Sequence, residues 1–158
     1  VNLAHRKKVL RQISYGLYVV TTRADDLVAG GTITWLSQCS MKPPLVMVGV
    51  QQDSALRRVI DRARVFAVNL IAADQRALAH AFFKPAVLHH GLLNGYACVT
   101  GKTGAPLLTD APGWFECRVL DELTRGDHVV YVAEVVDAVA QRDDPPLTLR
   151  DTGLSYGG

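Results

Sequence analysis

The chain has 158 residues, of which 49% are hydrophobic, 7% aromatic and 20% charged, and its 17 Lys plus Arg against 15 Asp plus Glu leave a net charge of +2. That apolar fraction can build one sizeable core, and the length suits a single domain over residues 1–158. The balance excludes disorder, collagen, coiled coil and a disulfide-stapled miniprotein, and it falls short of the concentrated basic stripe of a nucleic-acid binder.

Residues 3–13 read as a short helix, with Leu3, Val9, Leu10 and Ile13 on one face and the basic cluster His5-Arg6-Lys7-Lys8 on the other. Residues 17–22 are β-branched and aromatic, as a strand requires, and Asp25-Asp26 marks the turn after them. Gly30-Gly31 opens a second extended run over 32–40, and Pro43-Pro44 punctuates it. Residues 45–50 are nearly all apolar, the pattern of a strand buried on both faces. Asp53-Ser54 can cap a helix running to about residue 62, because a side-chain oxygen accepts the free amides of a first turn. Another strand is expected over 65–71, then a helix from Asp74 to residue 82 or 83, and a loop over 85–95. Two longer strands over 114–121 and 129–139 join through Thr124-Arg125-Gly126-Asp127. The tail after Pro145-Pro146 holds few helix formers.

This is about six or seven strands with three short helices, not an alternating β-α pattern. The expected class is mainly β: a β-barrel with peripheral helices, since closing a sheet removes its edges. Cys39, Cys98 and Cys117 are odd in number and far apart, which fits a reducing cytoplasm. The basic cluster near the start is followed by neither an apolar run nor a small-residue cleavage site. No stretch reaches the about 18 apolar residues of a membrane span. A cytoplasmic protein away from membranes is expected.

Three motif matches fail on their mechanics. Gly101-Lys102-Thr103 resembles the end of a phosphate-binding loop, but five residues separate it from Gly95 where four are needed, and Gly104 and Pro106 follow instead of a helix. It reads as a turn. Gly153-Leu154-Ser155-Tyr156-Gly157 spells a nucleophile elbow, yet neither a following helix nor a later histidine is present. His80, His89, His90 and Cys98 lack metal-ligand spacing, so no metal is expected.

Two stretches carry more. Thr32 through Ser40 places Thr34, Trp35, Ser37 and Gln38 in otherwise strand-like sequence. It is either a polar edge strand or a surface that reads the edge of a heterocycle with hydroxyl and amide groups and packs its face on Trp35. Gln51-Gln52-Asp53-Ser54 then leads into Arg57-Arg58 in a helical first turn. Two cations at a positive helix end point to a bound anion, unless they are solvated and Asp53 supplies the negative charge. Gly126-Asp127-His128 enters a strand, where a histidine by itself carries no role.

Taken in order, these pieces resemble the flavin reductase-like family of FMN-binding split-barrel proteins. The resemblance rests on Gly16-Leu17-Tyr18-Val19-Val20-Thr21-Thr22, on Gly31-Thr32 through Ser40 with Pro43-Pro44-Leu45-Val46, and on Asp53-Ser54. It continues through Phe66-Ala67-Val68-Asn69 with Gln75 and Leu78, Glu116-Cys117 with Gly126-Asp127-His128, and Glu134-Val135 leading to Pro146-Leu147. The resemblance implies a six-stranded Greek-key split barrel that forms a homodimer, with one flavin per subunit, FMN or FAD. It implies that Thr32, Thr34, Trp35, Leu36, Ser37 and Gln38 line the isoalloxazine and ribityl chain. Gln51, Gln52, Asp53 and Ser54 would reach the ribityl and phosphate. Leu56 stands where a phosphate-contacting Thr is often found, which leaves Arg57 or Arg58 to compensate. His128 would orient the nicotinamide of NADH or NADPH. Trp35-Leu36-Ser37-Gln38 and the ending from Thr152 are similar to the branch holding the reductase modules of diflavin and diiron flavoproteins. The implied activity is hydride transfer from nicotinamide C4 to flavin N5, with electrons passed to free flavin or a redox partner protein. The alternative is an FMN-binding electron-transfer protein without a productive nicotinamide site.

Overall fold

Runs of β-branched residues separated by short turns set the frame. In the computed structural model, which describes residues 1–158, the first half runs α1 (Leu3–Leu10), β1 (Tyr18–Ala24), β2 (Leu27–Ile33), β3 (Leu36–Ser40), β4 (Leu45–Gln51), α2 (Ala55–Ala63) and β5 (Val65–Leu70). Then come α3 (Arg76–Ala81), β6 (Leu88–His89), β7 (Leu92–Leu93), β8 (Tyr96–Thr100) and β9 (Pro106–Leu108). The chain ends with β10 (Gly113–Thr124), β11 (His128–Ala140) and α4 (Leu149–Thr152). Seven strands form an antiparallel sheet in the order β2-β1-β5-β10-β11-β4-β3, and β6 to β9 form a smaller second sheet.

The class is mainly β with peripheral helices, but the sheet is not the closed six-stranded barrel expected. It has seven strands, and no ladder joins its outer members β2 and β3. Thr34-Trp35 interrupts the extended run read over 32–40, so the chain leaves one edge of the sheet and enters the opposite edge through a two-residue corner. Helix α2 packs against β1, β2, β4 and β5.

Period-two alternation sends β1 and β5 into two cores. Val20, Ala24, Phe66 and Val68 join Val46, Val48, Val50 and Tyr131 beneath Leu56, Val59 and Ile60 of α2. On the other face Leu17 and Val19 meet Ile71, Leu78, Phe82, Leu108 and Leu147. Buried Asn69 ties these layers together. Its amide donates to Val19 O at 3.0 Å and Thr21 Oγ1 at 3.1 Å, and its oxygen accepts Leu108 N–H at 2.8 Å.

Several local expectations change. Strand β4 is buried on one face only: Val46, Val48 and Val50 join the core, while Met47 on the other face is exposed. Asp74 does not cap α3; Gln75 stands at that position, and its side chain instead accepts Ala72 N–H and donates to Asp110 O. The expected loop over 85–95 contains the β6–β7 hairpin, and the tail contains α4, started by a Thr148–Asp151 capping box and stopped at the left-handed Gly153. Helix α1 ends at Leu10 and buries nothing; Leu3, Val9, Leu10 and Ile13 are all exposed.

The Gly101-Lys102-Thr103 turn holds no phosphate-loop geometry. Its backbone N–H groups at Lys102 and Thr103, with Thr103 Oγ1, donate to the carboxylate of fully buried Glu116 at 3.0, 2.9 and 2.5 Å. No helix is long and apolar enough to cross a membrane.

Candidate functional site

Strands β2 and β4, which lie at opposite flanks of the open sheet, both line a cavity of about 490 Å³. Gly30, Gly31, Thr32, Ile33 and Thr34 form one wall, and Gly49, Val50 and Gln51 form another. The first turn of α2 contributes Ser54, Ala55 and Leu56. The segment after α3 contributes Phe82, Phe83, Lys84 and Pro85, and the tail contributes Leu154, Ser155 and Tyr156.

The glycines matter for space. A Cβ built on Gly31 would meet only Leu56 Cδ2, at 3.8 Å, so a side chain there would project into the cavity. Ser54 caps α2: its Oγ accepts Arg57 N–H at 3.1 Å and donates to Gln51 O at 2.7 Å. The amides of Ala55 and Leu56 precede the first intrahelical bond and stay available to an anion. Lys84 is the only charged side chain lining the cavity.

Beside the cavity lies an aromatic cluster centred on Trp35. Its ring centroid is 4.3 Å from that of His128, 5.1 Å from Tyr156 and 6.4 Å from Tyr15. Trp35 O accepts Gly49 N–H at 2.8 Å. Trp35 Nε1 is buried and has no hydrogen-bond partner. His128 pairs with Gln51 across β11 and β4. Its Nδ1 lies 2.8 Å from Asp127 Oδ1, and its Nε2 lies 2.7 Å from the Tyr156 hydroxyl. That hydrogen bond to His128 holds the Asp127 carboxyl below the usual carboxylate range.

The residues expected to form a site divide. Thr32, Thr34, Gln51 and Ser54 line the cavity, although the Thr32 hydroxyl already donates to Ala79 O at 2.7 Å. Trp35 and His128 stand one layer behind it. Leu36 packs against the larger core. Ser37 and Gln38 lie exposed on edge strand β3, bonded to neighbouring backbone oxygens. Gln52 and Asp53 are exposed on the turn before α2. Arg57 Nε sits 2.9 Å from Asp61 Oδ2, and Arg58 lies 3.4 Å from Asp53, so both arginines have carboxylate partners within their own segment. The 32–40 stretch therefore divides: Thr32 and Thr34 line the cavity, whereas Ser37 and Gln38 face solvent on an edge strand.

Sequence reasoning missed Lys84 with Phe82 and Phe83, and it missed Tyr156. Phe82-Phe83-Lys84-Pro85 closes a short helix, and such a cluster at a helix end was the only available signal. Tyr156 was set aside with the failed nucleophile-elbow motif, and nothing local links it to His128.

The donor set suits a flavin nucleotide: glycine-walled space of ligand size, apolar lining, a free indole N–H nearby, and a capped helix end with one cation for a phosphate. Comparison with known proteins agrees. The family model for the flavin reductase like domain matches residues 10–158. The chain is 31% identical over 149 residues to the reductase component of 4-nitrophenol 4-monooxygenase/4-nitrocatechol 2-monooxygenase from Rhodococcus opacus, covering 90% of this chain and 75% of that protein. It is 27% identical to diflavin flavoprotein A 1 of Synechocystis sp., covering 83% of this chain but 23% of that longer protein. Among solved structures, NADH:FAD oxidoreductase SgcE6 of Streptomyces globisporus C-1027, in complex with NAD and FAD fragments, superposes with a TM-score of 0.81 at 25% identity, covering 98% of this chain and 90% of that one.

Proposed function

The chain belongs to the flavin reductase like domain family, and on that premise we propose that it is an NAD(P)H-dependent flavin oxidoreductase that uses FMN, with FAD as the alternative flavin. The observation that carries the reading is the cavity between β2 and β4, which joins glycine backbone, apolar walls, the α2 first turn and Lys84 in one space. The flavin supplies the hydride acceptor at N5 and the dinucleotide the donor at C4; the protein supplies position and electrostatics. Gly31, where a Cβ would project into the cavity, lets a flat ring approach β2 closely. Thr34 and Gln51 are placed to hydrogen-bond polar edges. The amides of Ala55 and Leu56, with Lys84, hold a phosphate. Arg57, paired with Asp61 and absent from the cavity lining, is not assigned to that phosphate.

Reduced flavin then passes to a partner oxygenase, as the role of the Rhodococcus reductase component suggests. A homodimer belongs to this reading: exposed Leu120, Leu123, Val136 and Val139 on β10 and β11, with Leu3, Leu10 and Ile13 near α1, offer apolar surface for a second copy. A cytoplasmic location fits Cys39, Cys98 and Cys117, all unpaired.

Anaerobic rapid mixing of FMN-reconstituted protein with NADH, then NADPH, tests the activity. Loss of flavin absorbance that saturates with nicotinamide is expected. No bleaching, in a sample that holds FMN, would mean an electron-transfer protein instead.

A further inference from the structure

Tyr156 stands between the cavity and His128. It lines the cavity, whereas His128 does not, and its hydroxyl lies 2.7 Å from His128 Nε2. Gln51 donates from Nε2 to the same hydroxyl at 2.9 Å. The Tyr156 ring is held edge-on to Trp35, and Arg11 Nε anchors the tail by donating to Gly157 O at 3.0 Å.

The directions of these bonds follow from the donors available. In the neutral imidazole, with the Asp127 carboxylate accepting the N–H of His128 Nδ1, Nε2 is left as an acceptor. Tyr156 must then donate its proton to His128. The Gln51 amide takes one lone pair of the Tyr156 oxygen, and one lone pair remains. With its proton committed to His128, the hydroxyl offers an incoming ligand an acceptor only.

We infer that Tyr156 is the residue that meets the nicotinamide, its remaining lone pair accepting a hydrogen bond from the carboxamide N–H, and that His128 and Asp127 are positioning residues that act through it. This rests on the flavin-reductase reading above. A planar carboxamide offers an N–H donor beside the reacting ring, and a site with a committed acceptor rejects an analogue lacking that donor. His128 keeps the acceptor state by accepting the hydrogen bond of the phenol O–H; Trp35 keeps the ring in place.

The test uses the oxidised protein loaded with FMN, in which no hydride moves. Dissociation constants are measured for NAD+ and for its 3-acetylpyridine analogue, in which a methyl replaces the carboxamide NH2. The NADP+ pair is used instead if wild type binds it more tightly. Wild type is expected to favour the carboxamide by about 3- to 10-fold, the worth of one neutral hydrogen bond. Tyr156→Phe, loaded with FMN, should bind both ligands alike. His128→Ala, which frees the phenol proton, should narrow the preference, and the double variant should match Tyr156→Phe alone. A Tyr156→Phe protein that keeps the wild-type preference overturns the inference, as does a double variant whose losses add. Wild type that binds no FMN overturns the flavin reading and this inference together; FMN binding with a preserved preference overturns this inference alone.

Discussion

Gly49 lies directly against Trp35. A Cβ placed on Gly49 would come 3.3 Å from both Cβ and Cε3 of Trp35, and the same glycine donates its N–H to Trp35 O at 2.8 Å. The absence of a side chain on β4 is therefore what lets the indole settle beside His128 and Tyr156.

A bulkier residue at this point should disturb the whole cluster. Gly49→Val is expected to cost about 1–3 kcal/mol by overpacking and to weaken FMN binding, since Gly49 also lines the cavity. Thermal melting and a flavin fluorescence titration check both. Unchanged FMN affinity in a folded variant would separate the Trp35 cluster from the flavin.

Lys84 and Arg57 are both cations near the α2 first turn in the proposed site, but only Lys84 lines the cavity and only Arg57 has a carboxylate partner. Lys84→Gln should weaken FMN by roughly 10- to 100-fold, the range for a charge-assisted hydrogen bond, and leave riboflavin affinity unchanged. Arg57→Gln should weaken FMN less. The reverse order in parallel titrations would move the phosphate to the arginine.

Ser54 caps α2 through its bond from Arg57 N–H. Ser54→Ala is expected to lower stability by about 1 kcal/mol and to weaken FMN more than riboflavin, because the turn that presents the Ala55 and Leu56 amides loosens. Urea denaturation alongside the two flavin titrations reads each effect.

Asn69 spans three strands with no water-facing surface. Asn69→Leu leaves Leu108 N–H and Val19 O without this partner, at a cost of about 2–4 kcal/mol. In a chain of this size that lowers Tm by about 5–15 °C, measurable by calorimetry without any flavin present.

Alkaline pH should destabilise the fold. Burial, with a smaller push from Glu116, raises the Cys117 thiol to about 12, and burial with the Asp61 hydrogen bond raises the Tyr131 phenol. The unfolded chain releases these protons in the ordinary thiol and phenol ranges, about 8.5 and 10. It therefore binds fewer protons than the native state there, and stability falls as pH rises from about 9 towards 12. Urea midpoints across that range should decline, and Cys117→Ala should make the decline shallower.

Local chemistry determined much of this protein from sequence alone. Alternating β-branched runs specified the strands β1, β4, β5, β10 and β11, and the Ser54 cap specified α2, because each depends only on near neighbours. The ordered motifs from Gly16 to Leu147 carried the family. Tertiary structure decided the rest. Thr32 and Ser37 belong to one polar stretch, yet one faces the cavity and the other faces solvent, because the chain turns the corner at Trp35 and changes edge. Arg57 looked free until folding set Asp61 beside it one helical turn away with Tyr131 below. Lys84 carried no motif and Tyr156 only one that fails as a nucleophile elbow; they line one cavity only because the sheet brings β2 and β4 around it and the tail crosses to His128. Hydrogen bonds such as Tyr156 to His128 join residues far apart in sequence, and only the packed sheet determines which of them meet.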